Sequence, residues 1–324
     1  MEYKVSVVVP IYGTEKYIER CARSLFEQTL DSIEYIFVND CTKDNSITVL
    51  RKVIEDYPNR KDQIKLINLE ENKGLAIARG TGIRHCNGKY ITTCDSDDWV
   101  EADAYESMVQ LAEKQNADVV ICDFNIANDN IKKIAPILHP IERLTWISDM
   151  LYHKTSWSIW NKMFRSSLYQ NSITFPKYSM GEDCAFVLQL AYFCNKIAYT
   201  HKASYNYYYN SSSIVNKKNS DSRYKRFIEG LDNNHIVENF YKNKREYSLL
   251  KGGINNMIYQ TKCLLLPLIY NEKYKRIWGK TYPGIEWKIL CDKKNPMKER
   301  IRSFFILTKI YPRITNLLGL TTCK

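Results

Sequence analysis

An α/β fold built on a mainly parallel sheet, flanked by helices and followed by a basic helical C-terminal extension, is what this sequence predicts. Three observations predict it. Short β-branched runs alternate with amphipathic helical stretches through residues 4–123, the rhythm of βαβ units. Polar residues gather where those runs end, which in an open parallel sheet is the rim that holds the site. Charge is also split along the chain. Residues 211–324 carry 23 Lys+Arg against 9 Asp+Glu, net +14, whereas residues 1–210 carry 24 against 27, net −3.

The elements follow in order. Residues 4–9 (Lys-Val-Ser-Val-Val-Val) read as a strand buried on both faces and ended by Pro10. Thr14 is placed to N-cap a helix with Ile18, Cys21, Ala22, Leu25 and Phe26 on one face. Tyr35 to Val38 is a second buried strand, stopping at Asn39-Asp40. A helix with Ile47, Leu50, Ile54 and Tyr57 follows, then a strand at 64–69 and a helix at 74–86. Strand 89–94 leads into Asp95-Ser96-Asp97-Asp98, followed by helix 101–115 and strand 117–123. Beyond residue 125 the rhythm breaks. Trp157 to Phe164 is aromatic-rich, Met180-Gly181-Glu182-Asp183 opens a helix, and two β-like pieces lie at 197–199 and 205–209. From about 220 the pattern is helical and basic. The expected division is a domain at 1–215 and a basic helical region at 216–324.

Composition excludes several classes. Hydrophobic residues at 44% and charged ones at 26% describe a globular chain, not a disordered one. No window approaches 18 apolar residues, so no spanning helix is expected. Met1 to Lys4 runs straight into a strand, so no leader is expected either. Ten cysteines without a C-x-x-C pair read as small buried hydrophobes of a reducing compartment, and a cytoplasmic location follows. The basic C-terminal third lacks a helix-turn-helix, zinc or aromatic RNA-binding signature, so nucleic acid is not the expected partner. Pro10-Ile11-Tyr12-Gly13 lacks the glycine fingerprint of a dinucleotide-dependent dehydrogenase.

Three carboxylates within four residues repel one another unless water or a cation neutralises them. Asp95 and Asp97 share a parity at a strand end, an arrangement that suits Mg2+ or Mn2+; a solvated turn capping the next helix is the alternative. Pro10 to Tyr12, Asp40, Asn72 and Asp95/Asp97 then lie at four strand ends on one rim.

With these motifs in order, the chain resembles glycosyltransferase family 2, the inverting enzymes of the GT-A fold, over roughly residues 4–210. The resemblance rests on Val5 to Tyr12, Ile36 to Ser46, Glu71-Asn72-Lys73-Gly74 with Ala78-Arg79, and Gly88 to Ile91 running into the D-x-D-like Asp95-Ser96-Asp97. Trp160-Asn161-Lys162 and Glu182-Asp183 match later landmarks. It implies transfer of a sugar from a nucleotide donor, a UDP-sugar first, to an acceptor hydroxyl, as in assembly of a cell-surface polysaccharide or glycan. It implies Asp97 on a Mn2+ or Mg2+ ion, with Asp95 as second ligand or ribose contact and Asp98 as the cap of the next helix. Asp40 and Asn72 would read the base, Pro10 and Tyr12 would wall it, and Arg79 would reach ribose or phosphate. Asp183, in preference to Glu182, would take the acceptor proton, and Trp157 and Trp160 could stack on sugar rings. Asn210 stands where the family often has Arg, with Lys217 or Lys218 as substitutes.

The acceptor implied is a saccharide, free or lipid-linked. Basic and large apolar residues mixed over 300–313, including Lys309 and Arg313, suit a helix lying peripherally on an anionic membrane surface; a helical appendage packed on the catalytic domain or on a dimer partner is the alternative. A non-catalytic nucleotide-sugar-binding module or scaffold of a polysaccharide assembly complex is the competing function.

Overall fold

The computed structural model describes residues 2–128, 132–135, 142–209 and 219–309. Asn210, Lys217, Lys218 and Arg313 lie outside the described residues. The elements are β1 (Val5–Ile11), α1 (Ile18–Phe26), β2 (Ile33–Asn39), α2 (Ser46–Asp56), β3 (Ile64–Asn68), α3 (Leu75–Arg84), β4 (Tyr90–Thr93), β5 (Trp99–Val100), α4 (Ala104–Gln115), β6 (Val119–Ala127), β7 (Lys132–Ala135), α5 (Arg143–Leu151), β8 (Lys162–Arg165), α6 (Glu182–Phe193) and β9 (Ile197–Tyr208). Five helices follow: α7 (Ser220–Lys242), α8 (Tyr247–Lys262), α9 (Glu272–Lys280), α10 (Ile285–Cys291) and α11 (Met297–Leu307).

The strands form one mixed sheet in the order β3-β2-β1-β4-β8-β6-β9-β5, with β7 on β6. β1 to β4 run parallel, as expected of βαβ units. β8 enters antiparallel between β4 and β6, and β9 returns parallel to β6. Because β1 is central, both of its faces are buried. Val5, Val7, Val9 and Ile11 pack with α1, α2 and α4 on one side, while Val8 packs on the other with Ile91, Phe164, Phe186 and Ile258. That double burial is why the strand reads as a continuous apolar run rather than an alternating one.

Four local readings change. Pro10 does not end β1, which continues to Ile11 with Pro10 opposite Val38. A proline is tolerated there because its missing N–H faces the β4 side, where pairing has already stopped at Val8 and Thr93. Thr14 does not cap α1 through its side chain: Tyr17 is the N-cap, and the Thr14 hydroxyl is buried without a partner among the described residues. The Thr14 carbonyl instead accepts from Tyr17 and Ile18 N–H. The strand expected at 117–123 extends to Ala127, and the two β-like pieces near 200 are one strand, β9, with an irregularity in its pairing opposite Cys122 to Phe124. Pairing along β6 holds the weak middle of β9 in extended form, which local sequence does not reveal.

The C-terminal helices pack directly on the sheet layer. Val237, Tyr241, Leu250, Ile254, Met257, Ile258 and Tyr259 share one core with Trp146, Phe164 and Phe186. The apolar run at 263–270 is also folded in, with Cys263, Leu265 and Leu266 buried. Among the described residues no helix is long and apolar enough to cross a membrane.

Candidate active site

The loop after β1 and the turn after β2 hold each other. Gly13 N–H donates to Thr42 Oγ1 (2.8 Å), Thr14 N–H to Ser46 Oγ (3.0 Å) and Glu15 N–H to Asp44 Oδ2 (2.9 Å). Gly13 has φ 69°, so the chain turns sharply there and leaves Tyr12 on the rim, 52% exposed. Pro10 is buried behind it in β1.

Asp40 is buried and both of its oxygens are engaged. Oδ1 accepts from Lys73 N–H (2.7 Å), and Oδ2 accepts from Gly74 N–H (2.8 Å) and Asn72 Nδ2 (3.1 Å). Asp40 and Asn72 are the residues expected to read the base. They bond to one another and fix the turn that starts α3, where Gly74 with φ 88° is the N-cap. A carboxylate gathering two backbone N–H groups at a helix start is well stabilised, and it shapes the wall of the rim.

The resemblance puts Arg79 at a ribose or phosphate. The Arg79 side chain is fully buried. Its Nη2 donates to Asp95 Oδ1 (2.5 Å), its Nη1 to Asp183 Oδ1 (2.9 Å), and Nη1 is also paired with Glu182. One guanidinium from α3 thus joins the acidic turn after β4 to the N-terminus of α6. Burial alone would pull the Arg79 pKa down, but Asp95 and Asp183 more than offset it, so the pKa is raised. Glu182 is buried against Arg79, and its Oε2 has no hydrogen-bond partner among the described residues. Asp183 is more open, and among the described residues its Oδ2 takes only a long bond from Ile159 N–H (3.4 Å). Gly181, with φ 77°, turns the chain into α6 and sets the two acids side by side.

The three aspartates of the turn separate cleanly. Asp98 is buried and does not cap α4, whose N-cap is Asp103. Instead it accepts from Tyr205 Oη (2.6 Å) and Tyr208 N–H (2.7 Å), tying the turn to β9, and Tyr205 Oη in turn accepts from Asp95 N–H (3.1 Å). Burial raises the Asp95 pKa while Arg79 pulls it back. Asp97 is half-buried, and no side chain among the described residues bonds its carboxylate; burial and the Asp95 charge push its pKa up to about 6. A carboxylate raised by desolvation and a like-charged neighbour is one that a cation would relieve. Among the described residues no group of three or more His, Cys, Asp and Glu is arranged to hold a metal ion by itself. The donor set fits a hard divalent ion that takes one or two protein oxygens and completes its shell with phosphate and water.

Sequence reasoning missed two residues here. Arg20 lies over the Trp99 ring at 3.7 Å and donates to the Asp97 carbonyl (3.1 Å), bracing the turn from α1. Lys162 is buried, and its Nζ donates to Ser156 O (3.1 Å), Ser158 O (2.6 Å) and Asn161 Oδ1 (2.9 Å). It holds the loop that presents Ile159 N–H to Asp183. The signal for Lys162 was its place in Trp160-Asn161-Lys162; Arg20 gave none. Trp160 stacks on Tyr205 (4.4 Å) and Tyr207 (5.7 Å), and Trp157 meets His153 edge-on (4.3 Å), so both rings have protein partners.

A family model described as glycosyl transferase family 2 matches residues 6–178. A Bacillus subtilis (strain 168) protein bearing the name glycosyltransferase EpsH is 30% identical over 265 residues, which cover 77% of this chain and 75% of that one. Among solved structures, S. aureus TarS 1–349 in complex with UDP-GlcNAc matches with a TM-score of 0.61 at 18% identity, over 96% of this chain and 92% of that one. Mannosyltransferase PcManGT from Pyrobaculum calidifontis, in complex with GDP-Man and Mn2+, matches with a TM-score of 0.55 at 14% identity, over 98% and 88%. The fold is GT-A.

Proposed function

Since the chain belongs to glycosyltransferase family 2, we propose that it is an inverting, metal-dependent enzyme moving a hexosyl or N-acetylhexosaminyl group from a UDP-sugar to an acceptor hydroxyl in cell-surface polysaccharide or glycan assembly. One observation carries this reading: Arg79 bonds Asp95 on the acidic turn and Asp183 on α6, so a donor-side and an acceptor-side carboxylate face one site. Asp97, with the second oxygen of Asp95, would hold Mn2+ or Mg2+, which when bound supplies Lewis-acid charge to the leaving diphosphate. Asp183 is the proposed base. Its Oδ1 is fixed by Arg79, leaving Oδ2 to receive the acceptor proton as the acceptor oxygen bonds to the sugar carbon and the bond to the nucleotide breaks on the opposite side. Glu182 neutralises Arg79 from within. Tyr12 and Pro10 would wall the base, and Asp40 and Asn72, which bond each other, would read it.

The UDP preference draws on the neighbour solved with UDP-GlcNAc, and the one solved with GDP-Man and Mn2+ puts guanosine donors in the same screen. The acceptor proposed is a saccharide, free or lipid-linked. The test is nucleotide release from a panel of UDP- and GDP-sugars with and without Mn2+. Release should need the metal, vanish with Asp97→Ala, and fall about 10²–10⁴-fold in kcat with Asp183→Asn while donor binding persists. Activity surviving both substitutions would overturn the assignments. Donor binding without any turnover would make the chain a nucleotide-sugar-binding module instead.

A further inference from the structure

The hairpin of α10 and α11 has a surface that the catalytic reading does not use. Its inner side is conventional: Ile285 and Ile289 enter the core, and Ser303 is buried. Its outer side is not. Met297 (64% exposed), Ile301 (45%) and Phe304 (48%) recur at i, i+4 and i+7 along α11, one apolar stripe facing solvent. Trp287 on α10 is 62% exposed. Such residues turned outward on a helix mark an interaction site more often than chance.

Charge says what kind. Lys288, Lys293, Lys294, Lys298 and Lys309 are exposed. None of the three acids between 283 and 309 is. Glu286 is buried on Lys262 (2.7 Å), Glu299 is buried on Arg302 (2.7 Å), and Asp292 accepts from Tyr152 Oη (2.5 Å) and Lys294 N–H (3.0 Å). The acids are turned inward and the lysines outward, so the segment presents uncompensated positive charge beside an apolar stripe. A second copy of this surface would set lysine against lysine. The core of a protein interface is depleted in lysine. An anionic bilayer accepts both features, with apolar side chains entering the acyl boundary and lysines reaching the headgroups.

We propose that the outer face of the α10–α11 hairpin docks on an anionic lipid surface. The inference deepens the reading above by placing the enzyme where a lipid-linked acceptor would be, but docking does not require transfer, so the two can fail separately. The experiment is flotation of the full chain with phosphatidylcholine vesicles with and without phosphatidylglycerol. The chain should float only with the anionic vesicles, and less so as salt rises. Ile301→Asp with Phe304→Asp, and separately Lys293→Glu with Lys294→Glu and Lys298→Glu, should each cut the bound fraction about tenfold, with melting temperature and metal-dependent nucleotide release unchanged. The proposal is overturned by failure to float, by flotation that these substitutions leave intact, by equal binding to neutral vesicles, or by a concentration-dependent dimer that Ile301→Asp dissolves. A chain that floats but releases no nucleotide keeps the docking surface and removes the transferase reading.

Discussion

At the level of single residues, the site is organised by two buried basic side chains. Arg79 bonds three carboxylates that would otherwise repel one another, two of them adjacent in sequence and the third more than eighty residues away. Its position beside Ala78 was legible, but its orientation was not, because a helical arginine gives no local sign of facing inward. Lys162 makes the sharper prediction. Burial pulls its pKa down to about 7, whereas in the unfolded chain lysine titrates near ~10.4. Between those values the unfolded state binds the extra proton, so this group makes stability rise with pH. Measured from pH 7 to 10 against Lys162→Met, the stability of the wild type should gain on that of the variant by up to about 1.4 kcal/mol per pH unit. A gap that stays flat would mean that Ser156, Ser158 and Asn161 keep the ammonium charged in the fold.

Among the elements, α3 shows why a helix can contain Gly80-Thr81-Gly82. A Cβ on Gly82 would lie 2.3 Å from Val8 Cγ1 and 3.2 Å from Val38 Cγ2, so α3 rests on β1 and β2 with no room for a methyl group. That close approach brings Arg79 to the strand ends. Helix propensity favours alanine over glycine by about 1 kcal/mol, and overpacking opposes it by about 1–3 kcal/mol. Gly82→Ala should therefore destabilise the protein in urea titration, and Val8→Ala in the same chain should recover part of the loss through favourable coupling. A net stabilisation by Gly82→Ala would remove the packing argument. The glycines were visible in the sequence; the backbone approach that requires one of them was not. β9 is the same lesson in extended structure, since its two apparent pieces become one strand only when β6 lies beside them.

Across the molecule, the C-terminal helices help build the site. Asn233 on α7 donates to the Tyr178 and Met180 carbonyls (2.7 and 2.8 Å), just ahead of Gly181 and the paired acids. Tyr241 Oη donates to Leu188 O (2.5 Å) in α6, and Asn256 Nδ2 to Leu151 O (3.0 Å) in α5. We propose that the boundary expected near residue 215 marks a change in composition rather than a unit that folds alone. Residues 1–215 expressed by themselves should lack a cooperative thermal transition, because removing α7 and α8 exposes the core face of α6. A truncated chain that melts as sharply as the full one would show two independent units.

By itself the sequence determined the alternation of strands and helices, the double-sided burial of β1 and the rim of strand ends, and its motifs pointed to Asp95, Asp97 and Asp183. Each follows from hydrophobic period or motif order, which are properties of neighbours along the chain. Only the tertiary structure decided that Asp40 and Asn72 bond each other, that Asp98 anchors to β9, that Arg79 and Lys162 lie buried beneath the site, and that α11 turns an apolar stripe outward. Those outcomes depend on which distant oxygen or methyl group lies within a few ångströms, and no local pattern encodes that distance.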